Sequence, residues 1–479
     1  MEYRPVTCVW EITMGCNMRC GHCGSSCSDP LPDELTTAEA FDAIEQMAEI
    51  GLRWVTLSGG EPLTRRDWPQ LLRHLTERGV SCNMITNGWN ITEDVARQMK
   101  ENNISTVAIS IDGTREIHDR IRKPGSYDRI EQGIRILKQY SITVGAVTTL
   151  TKQNIDILPQ IKDELIRMGA NSWQVQLGLP MGNFTRHEDW LLEPEDVDGI
   201  LDFCYKTNSE GKIVMYPADC LGYYSHKELR TRQMAFNTPN YQLWDGCNAG
   251  IRGFGFLYNG DILGCTSIRD REYIEGNIRE RTLRDIWEDK NKFLWRRQMS
   301  KDKLSGECSV CKYGSKCLGG CPNTRLTIDH TIYGENRYCV YNVAMKKLKA
   351  EITGRSDADA LFAEAKEAVQ KTEYQQASIL LERYLQLKAA NAEAWHMKGF
   401  ADFQNGNYAL SEAANAQALS LNPSDSYATK GIGLAVFRQG KMDEGIKLVE
   451  KAAQMGDPDA AKELEALKYE QKYGRPYPR

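Results

Sequence analysis

The sequence has no excess of positive charge, no long apolar run and no targeting segment at its start. Lys and Arg number 60 against 65 Asp and Glu, giving a net charge of −5 and an isoelectric point near 5.9. This balance offers no basic field for nucleic acid. The first residues, MEYRPVTCVWEI, lack a basic stretch followed by an apolar one, and no apolar run approaches the roughly 20 residues of a membrane span. We therefore expect a cytoplasmic protein that binds neither nucleic acid nor membranes.

Cysteine, in contrast, is abundant. The chain carries 15 cysteines, and in a reducing cytosol clustered cysteines indicate metal binding or catalysis more often than disulfides. One group, in the stretch MGCNMRCGHC, consists of Cys16, Cys20 and Cys23. A second group consists of Cys247, Cys265, Cys308, Cys311, Cys317, Cys321 and Cys339. The isolated cysteines, which we expect to be small buried hydrophobic residues, are Cys8, Cys27, Cys82, Cys204 and Cys220.

The first domain, predicted at residues 1–215, alternates between two patterns. Apolar, β-branched runs predict strands at 6–12, 54–58, 82–86, 106–111, 142–150 and 172–177. Helical periodicity predicts helices at 36–50, 67–77, 92–101, 127–140 and 154–169. This alternation indicates an α/β fold with a parallel sheet, either doubly wound or a partial (β/α)6 barrel, whose chemistry lies in the loops after the strands.

The next region, residues 216–345, is rich in cysteine and glycine and poor in long apolar segments. Such a composition indicates a domain with little regular structure that metals or cross-links hold together. We predict a linker at 346–357 after it, and a tail at 468–479.

Residues 358–467 repeat with a period of 34. The corresponding positions include Leu361, Trp395 and Thr429, and also the small residues Ala365, Gly399 and Gly433. Small residues at that period are typical of tetratricopeptide repeats, of which three are about the minimum for a stable all-α stack. A generic array of helical hairpins is the alternative.

The spacing of the first cysteine group, C-x3-C-x2-C, is compatible with more than one metal site. Zinc prefers four ligands in C-x2–4-C pairs. Cys27 would supply a fourth cysteine, but the spacing differs from the bacterial ferredoxin run and no proline follows. The motif after a first strand resembles that of the radical S-adenosylmethionine (SAM) superfamily. The resemblance implies that Cys16, Cys20 and Cys23 hold three irons of a 4Fe–4S cluster, that SAM binds the fourth iron, and that Cys27 is a bystander.

Further motifs stand where that superfamily has its SAM-binding residues. The turn Gly59-Gly60-Glu61-Pro62 ends the second predicted strand, and the resemblance implies that its carbonyls and carboxylate accept from the methionyl ammonium. It also assigns Ser110 and Arg122 to the carboxylate and ribose of SAM, and a guanidinium suits a carboxylate because it binds in a bidentate manner. A solvated cation at a helix entry is the alternative for Arg122. The remaining residues assigned to SAM are Asp112, Leu179 against the adenine, and His22 where many relatives carry an aromatic.

The second cysteine group resembles, spacing for spacing, the seven-cysteine SPASM extension of radical SAM enzymes, with a pair of zinc sites as the alternative. The resemblance implies two auxiliary 4Fe–4S clusters, and therefore three clusters in all. It assigns the distal cluster to Cys308, Cys311, Cys317 and Cys339. It assigns the cluster nearer the active site to Cys247, Cys265 and Cys321.

Two positions depart from members of that group. Gly253 stands where fully ligated members carry a further cysteine, which leaves Cys220, Asp245, a water or the substrate as the fourth ligand of the nearer cluster. Thr266 stands where anaerobic sulfatase-maturing enzymes carry a catalytic Asp. Sulfatase maturation is therefore disfavoured.

The resemblance implies that one-electron cleavage of SAM gives a 5′-deoxyadenosyl radical that abstracts hydrogen from the substrate. We predict an oxidoreductase-type maturase that modifies a ribosomally made peptide or protein, which the tetratricopeptide repeats recognise, with flavodoxin or ferredoxin as reductant. One alternative is a radical SAM enzyme acting on a tetrapyrrole, sugar or cofactor precursor. A non-catalytic metal-bound scaffold is the other. The sequence identifies no acid–base residue.

Overall fold

A computed structural model describes residues 3–238 and 245–477 of the chain. The chain divides into two compact units. The first unit runs to Ser305 and also contains Lys316–Tyr341. The second unit contains Gly306–Ser315 and the residues from Asn342 onward. None of the helices in the described residues is both long and apolar enough to cross a membrane.

The first unit is built on a largely parallel sheet. In the described residues this sheet has ten strands, in the order β10-β9-β8-β1-β2-β3-β4-β5-β6-β7. The strands are β1 (Thr7–Glu11), β2 (Trp54–Ser58), β3 (Ser81–Thr86), β4 (Thr106–Ser110), β5 (Thr143–Leu150), β6 (Ser172–Leu177), β7 (Val214–Pro217), β8 (Gly253–Phe256), β9 (Asp261–Leu263) and β10 (Ile274–Asn277). Strands β8 and β1 to β7 pair in parallel, whereas β9 and β10 pair antiparallel. The α/β prediction and its six strands are confirmed, and in the described residues β7 and β8 extend the parallel part of the sheet at its two ends.

Helices connect successive strands, as parallel pairing requires. They are α1 (Thr37–Glu49), α2 (Trp68–Glu77), α3 (Glu93–Glu101), α4 (Arg115–Ile121), α5 (Ser126–Gln139), α6 (Leu158–Met168), α7 (Asp196–Glu210) and α8 (His226–Ala235). Local signals set their starts: Thr36 forms a capping box with Glu39, and the Thr92 hydroxyl accepts from the Val95 N–H at 3.2 Å. Helices α4, α7 and α8 are additions to the predicted set.

The core of the first unit lies where the helices cover the sheet. Strand residues such as Trp10, Leu57, Val107 and Trp173 are fully buried. The Trp10 ring stacks on Phe256 with 5.1 Å between ring centroids, which joins β1 to β8. The buried residues of the sheet therefore provide a packed base for the loops at its carboxyl edge.

The cysteine-rich region has the short, irregular elements that its composition predicts. Besides β8 to β10, its helices are α9 (Leu283–Glu288), α10 (Leu294–Arg297), α11 (Gly306–Val310), α12 (Gly314–Cys317) and α13 (Pro322–Asp329). The backbone turns at Gly319 and Gly320, which both have positive φ, just before Cys321 starts α13.

The second unit is a stack of helix pairs. Its helices are α14 (Val340–Thr353), α15 (Ala358–Gln370), α16 (Tyr374–Leu387), α17 (Ala392–Gln404), α18 (Tyr408–Leu421), α19 (Ser426–Arg438), α20 (Met442–Gln454) and α21 (Ala460–Tyr473). The helices α15, α17, α19 and α21 start at residues 358, 392, 426 and 460, so the predicted period of 34 residues is present in the helices themselves. A Cβ at Gly433 would lie 2.9 Å from the Gly445 carbonyl oxygen, which explains the small residue at that repeat position.

Two predicted boundaries differ from the helices. The segment 346–357, predicted as a linker, is helical as far as Thr353 because α14 runs into it. The predicted tail at 468–479 begins inside α21, which continues to Tyr473. The predicted domain limits themselves stay predictions.

Candidate active site

A cavity of about 460 Å³ lies at the carboxyl edge of the parallel sheet. Five successive strands contribute their last or next-to-last residue to its lining, namely Ser58, Thr86, Ser110, Thr149 and Leu177. This is the edge at which α/β proteins bind ligands. The volume lies within the range of ligand pockets, about 300–1,000 Å³.

The loop after β1 brings three thiols to the wall of this cavity. Cys16, Cys20 and Cys23 all line it. The Cys16 N–H donates to the Ser28 carbonyl at 2.7 Å, which closes the loop at its base. Asn183 holds the far end: its backbone N–H donates to the Cys23 carbonyl at 2.8 Å and its side-chain amide to the Cys20 carbonyl at 3.1 Å. The loop backbone is thus fixed by the protein itself.

Cys27 lines the same cavity. The Cys27 thiol donates to the Met14 sulfur at 3.9 Å. The bystander role of Cys27 stays a prediction.

The Gly59-Gly60 turn packs directly on the cluster loop, which is the loop after β1 that carries Cys16, Cys20 and Cys23. A Cβ at Gly59 would lie 2.3 Å from the Thr13 carbonyl oxygen, and one at Gly60 would lie 2.3 Å from the Gly15 carbonyl oxygen. Gly59 also has a φ of 131°, which side chains rarely adopt. Both glycines line the cavity. The close approach of two backbones therefore requires glycine at both positions.

The Glu61 carboxylate has a different environment from the one expected. It accepts from the Thr86 hydroxyl and the Asn87 N–H, each at 2.7 Å, and from the Leu63 N–H at 3.2 Å. Its side chain is fully buried, and burial raises the pKa of Glu61 to about 7. Among the described residues, the cavity lining includes neither Glu61 nor Pro62. In this structure Glu61 ties the turn to the end of β3 rather than facing the cavity, and the roles of Gly59, Gly60, Glu61 and Pro62 in SAM binding stay predictions.

Asp112 connects two side chains that line the cavity. This fully buried carboxylate accepts from His22 Nε2 at 2.7 Å and from Arg122 Nε at 2.5 Å, while its other oxygen accepts from the Thr149 N–H. Burial alone would raise the pKa of Asp112, but the charges of Arg122 and His22 hold it well below its ordinary value. Asp112 therefore stays ionised and orients both partners. Arg122 is only 10% exposed, so it is not the solvated cation of the alternative interpretation.

Ser110 and Leu179 also line the cavity. The structure therefore brings Ser110, Arg122, Leu179 and His22 to one space with the first cysteine group. Their individual contacts with SAM stay predictions.

The nearer auxiliary cysteines belong to the same unit as this cavity. Cys265 and Cys321 line it, and Cys247 is held by an N–H bond from Ala249 to its sulfur at 3.4 Å. Of the cysteines assigned to the distal cluster, Cys317 and Cys339 belong to the first unit, and Cys308 and Cys311 to the second. In residues 3–238 and 245–477, no three or more His, Cys, Asp or Glu side chains converge closely enough to hold a single metal ion.

Sequence analysis missed two contributors to the site. The Asn87 side chain, at the end of β3, donates to the Asn17 side chain at 2.7 Å and lies 4.0 Å from the Cys16 sulfur. Arg269 donates to Glu11 at the end of β1 and to the Ser25 hydroxyl in the cluster loop. A polar residue directly after a strand was the available signal for Asn87. Arg269 had none, because its partners lie more than 240 residues away.

These residues fit a SAM-bound iron–sulfur cluster. The three thiols of the loop after β1 share a cavity with the Arg122 guanidinium. Gly59 and Gly60, which the backbone of that loop approaches closely, line the same cavity. His22 lines the same cavity, and its buried Nδ1 has no partner among the described residues. Soft thiolate ligands select iron–sulfur clusters or zinc over magnesium or calcium.

Two family models match the parts of the chain that carry most of the assigned cysteines. The model of the radical SAM superfamily matches residues 10–168, and that of the SPASM iron–sulfur cluster-binding domain matches residues 247–312. An AdoMet-dependent heme synthase of Methanosarcina barkeri is 31% identical over 356 residues, which cover 72% of this chain and 99% of that protein. An Fe-coproporphyrin III synthase of the same organism is 29% identical over 70% of this chain and 86% of its own length. The structure of Streptococcus suis SuiB bound to S-adenosylmethionine shares the fold, with a TM-score of 0.55 and 17% identity over 70% of this chain and 76% of that one.

These comparisons correct the predicted substrate. The prediction of a ribosomal peptide or protein as substrate is wrong, because the relatives at 29–31% identity are named for heme and Fe-coproporphyrin III, whereas the mycofactocin maturases are 25–26% identical. The small-molecule alternative is the better supported one. With one relative matched along nearly its whole length, this chain belongs to the radical SAM superfamily, in the group whose radical SAM domain is followed by a SPASM iron–sulfur cluster-binding domain.

Proposed function

We propose that this chain is a radical SAM enzyme that acts on a tetrapyrrole in the synthesis of heme or a heme-like cofactor. The match to an AdoMet-dependent heme synthase over 99% of that protein carries the proposal. A pre-heme d1 synthase of Dinoroseobacter shibae, at 27% identity over 82% of its length, points to the same class of substrate. The scaffold alternative receives no support, since the residues of the catalytic motifs lie around one cavity.

The cofactors and the protein have separate tasks. When bound, SAM and a reduced 4Fe–4S cluster supply hydrogen-atom abstraction at an unactivated carbon. Cys16, Cys20 and Cys23 hold the cluster, and the Gly59-Gly60 turn offers backbone groups beside it. Asp112 keeps Arg122 charged and aimed into the cavity, where the guanidinium binds a carboxylate.

We also propose three 4Fe–4S clusters per chain, because ten cysteines fall into three sets with the spacings of the family. Anaerobic reconstitution should then give about twelve irons and twelve sulfides per chain. About four irons, or stoichiometric zinc, would contradict this count.

The substrate proposal is tested by anaerobic incubation of the reconstituted enzyme with SAM, dithionite and iron-coproporphyrin III. Liquid chromatography with mass spectrometry should show loss of the tetrapyrrole and matching formation of 5′-deoxyadenosine. The control is the triple variant Cys16→Ala, Cys20→Ala, Cys23→Ala, which should neither consume the tetrapyrrole nor form 5′-deoxyadenosine. An enzyme that cleaves SAM but leaves this tetrapyrrole and its close analogues unchanged would contradict the proposal.

For the second unit, we propose that residues 358–467 form tetratricopeptide repeats that bind a partner protein. A cavity of about 390 Å³ within this unit supports the proposal, since its lining includes Phe403, Tyr427 and Asn415. Asn415 is 1% exposed, and its Oδ1 has no hydrogen-bond partner among the described residues, so the lining of this cavity contains an unsatisfied acceptor.

Flavodoxin or ferredoxin is the proposed reductant and provides a probe for this surface. Calorimetric titration should detect its binding to the full chain. If the helix pairs are the docking site, Tyr427→Ala should weaken that binding at least about tenfold, as expected for a central aromatic contact. Unchanged affinity would exclude the reductant as the occupant of the stack.

A further inference from the structure

The auxiliary cluster nearer the cavity has three assigned cysteine ligands, although a 4Fe–4S cluster has four irons. Gly253 stands at the position of the missing cysteine, and it pairs with Thr7 where β8 joins β1. A Cβ at Gly253 would lie 2.9 Å from the Thr7 hydroxyl oxygen. A side chain there would have to displace the Thr7 hydroxyl. Because residue 253 is glycine, the fourth ligand comes from another part of the fold or from outside the protein.

Cys220 lies close to the assigned ligands. It is the third residue after β7, at the carboxyl edge of the sheet, and it lines the same cavity as Cys265 and Cys321. Asp245, the other side chain considered from the sequence, is exposed to solvent. Among the side chains considered, Cys220 is therefore the one that shares a space with the ligand set.

Specific contacts fix the Cys220 loop against the ligand segments. The Cys321 N–H donates to the Tyr223 hydroxyl at 3.0 Å, and that hydroxyl donates to the Asp219 carbonyl. Gly222 forms a parallel bridge with Cys339. The loop is thus joined to cluster cysteines through residues on both sides of Cys220.

Tyr223 makes this arrangement rigid. Its side chain is fully buried, and a Cβ at Gly320 would lie 2.8 Å from its ring. Tyr223 also has a φ of 81°, a left-handed conformation that residues with a side chain rarely adopt. The rest of the structure holds the loop in a conformation that it would not adopt alone, and such strain is typical of functional sites.

We propose that the Cys220 thiolate is the fourth protein ligand of the auxiliary cluster held by Cys247, Cys265 and Cys321. On binding, a sulfur–iron bond forms and the thiol proton passes to solvent, without a change of oxidation state. Such a cluster has no open iron for the substrate. It can therefore exchange electrons with a substrate bound in the cavity, but it does not bind that substrate directly.

The test is spectroscopic and does not depend on turnover. The background is the full chain with Cys16, Cys20 and Cys23 replaced by alanine, so that the SAM-binding cluster, which has an open iron of its own, is absent. Cys220→Ala and Cys220→Ser are made in this background and reconstituted. Cys204→Ala is the matched control, because Cys204 is a buried cysteine of α7 outside the cavity lining.

Mild oxidation converts a 4Fe–4S cluster with an open iron to a 3Fe–4S cluster, which electron paramagnetic resonance detects. The background and Cys204→Ala should give no 3Fe–4S signal. Cys220→Ala should give a signal from up to one 3Fe–4S cluster per chain. A small thiol added before oxidation should suppress this signal, because it takes the place of the missing ligand. If Cys220→Ala does not retain iron, Cys220→Ser decides: an altered spectrum supports ligation, and an unchanged spectrum overturns it. A 3Fe–4S signal already present in the background also overturns the proposal.

Discussion

Replacing Gly60 by alanine tests whether the Gly59-Gly60 turn positions the cluster loop. Gly60 has an ordinary negative φ, so alanine brings no backbone strain of its own. Its effect is steric. The new Cβ would lie 2.3 Å from the Gly15 carbonyl oxygen and 2.9 Å from the Met14 carbonyl oxygen, and both residues precede Cys16 in the loop that carries the three thiols.

The structure gives the size of the displacement. Ordinary contact of a Cβ begins at 3.4 Å, so the loop must retreat by about 1 Å from the turn. Overpacking of this kind destabilises a fold by about 1–3 kcal/mol. A misplacement of about 1 Å in a catalytic group can reduce its rate about 10²-fold. We therefore expect Gly60→Ala to fold and to cleave SAM about 10²-fold more slowly.

The assay is formation of 5′-deoxyadenosine with dithionite, normalised to iron content. The matched control is Gly199→Ala in α7, where an added Cβ meets no atom within 4 Å, and it should leave the rate unchanged. A Gly60→Ala rate within about twofold of the unmodified enzyme would refute the positioning role of the turn.

Three further predictions concern buried charges. Asp112→Asn should lower the free energy of unfolding by about 3–5 kcal/mol and raise the KM for SAM, because it leaves Arg122 buried without its anion. Between about pH 4.5 and 7 Glu61 is protonated in the folded state but ionised in the unfolded one. The free energy of unfolding should therefore fall by on the order of 3 kcal/mol as the pH rises through that window. Glu61→Gln cannot ionise and should remove this pH dependence. Lys430→Met should destabilise the helical unit by about 3–5 kcal/mol and spare SAM cleavage, because the ion pair with Asp457 at 2.8 Å is nearly inaccessible to solvent.

The controls for these predictions are exposed charges. Asp94→Asn removes an exposed partner of Arg97, and Lys371→Ala removes an exposed partner of Glu367, so denaturant unfolding should change by less than about 1 kcal/mol in each. If Asp112→Asn or Lys430→Met costs no more than its control, the corresponding pair does not stabilise the fold. A pH dependence of unfolding that is identical in Glu61→Gln and the unmodified protein would contradict the raised pKa of Glu61.

Much of the fold could be predicted because local patterns determine it. The apolar runs of β1 to β6 and the period of 34 residues both repeat at spacings that a single sequence displays. Strand β7 was missed because VMYP is short and ends in proline, and α4 because its seven residues are too few to show a period. The predicted linker was misjudged because its polar composition does not exclude a helix such as α14.

The candidate site was predictable to the extent that its motifs are contiguous. The cysteine loop and the Gly59-Gly60 turn are such motifs. The bond from His22 to Asp112 was not predictable, because it joins residues 90 positions apart. The environment of Glu61 was also missed. Its carboxylate accepts from Thr86, Asn87 and Leu63, and these hydrogen bonds hold it away from the cavity. The substrate class was misjudged because cluster and SAM motifs encode the shared radical chemistry, whereas dispersed cavity residues select the substrate.

Transfer of deuterium tests the central claim most directly. The reconstituted enzyme would be incubated with SAM, dithionite and iron-coproporphyrin III deuterated on its side chains, and the 5′-deoxyadenosine would be analysed by mass spectrometry. The account predicts deuterium in the 5′-deoxyadenosine, in proportion to the tetrapyrrole consumed, because the hydrogen is abstracted from that substrate. The contradicting result is unlabelled 5′-deoxyadenosine that forms at the same rate whether or not the tetrapyrrole is present, while the tetrapyrrole itself is not consumed. This result would contradict the assignment of this chain to tetrapyrrole chemistry.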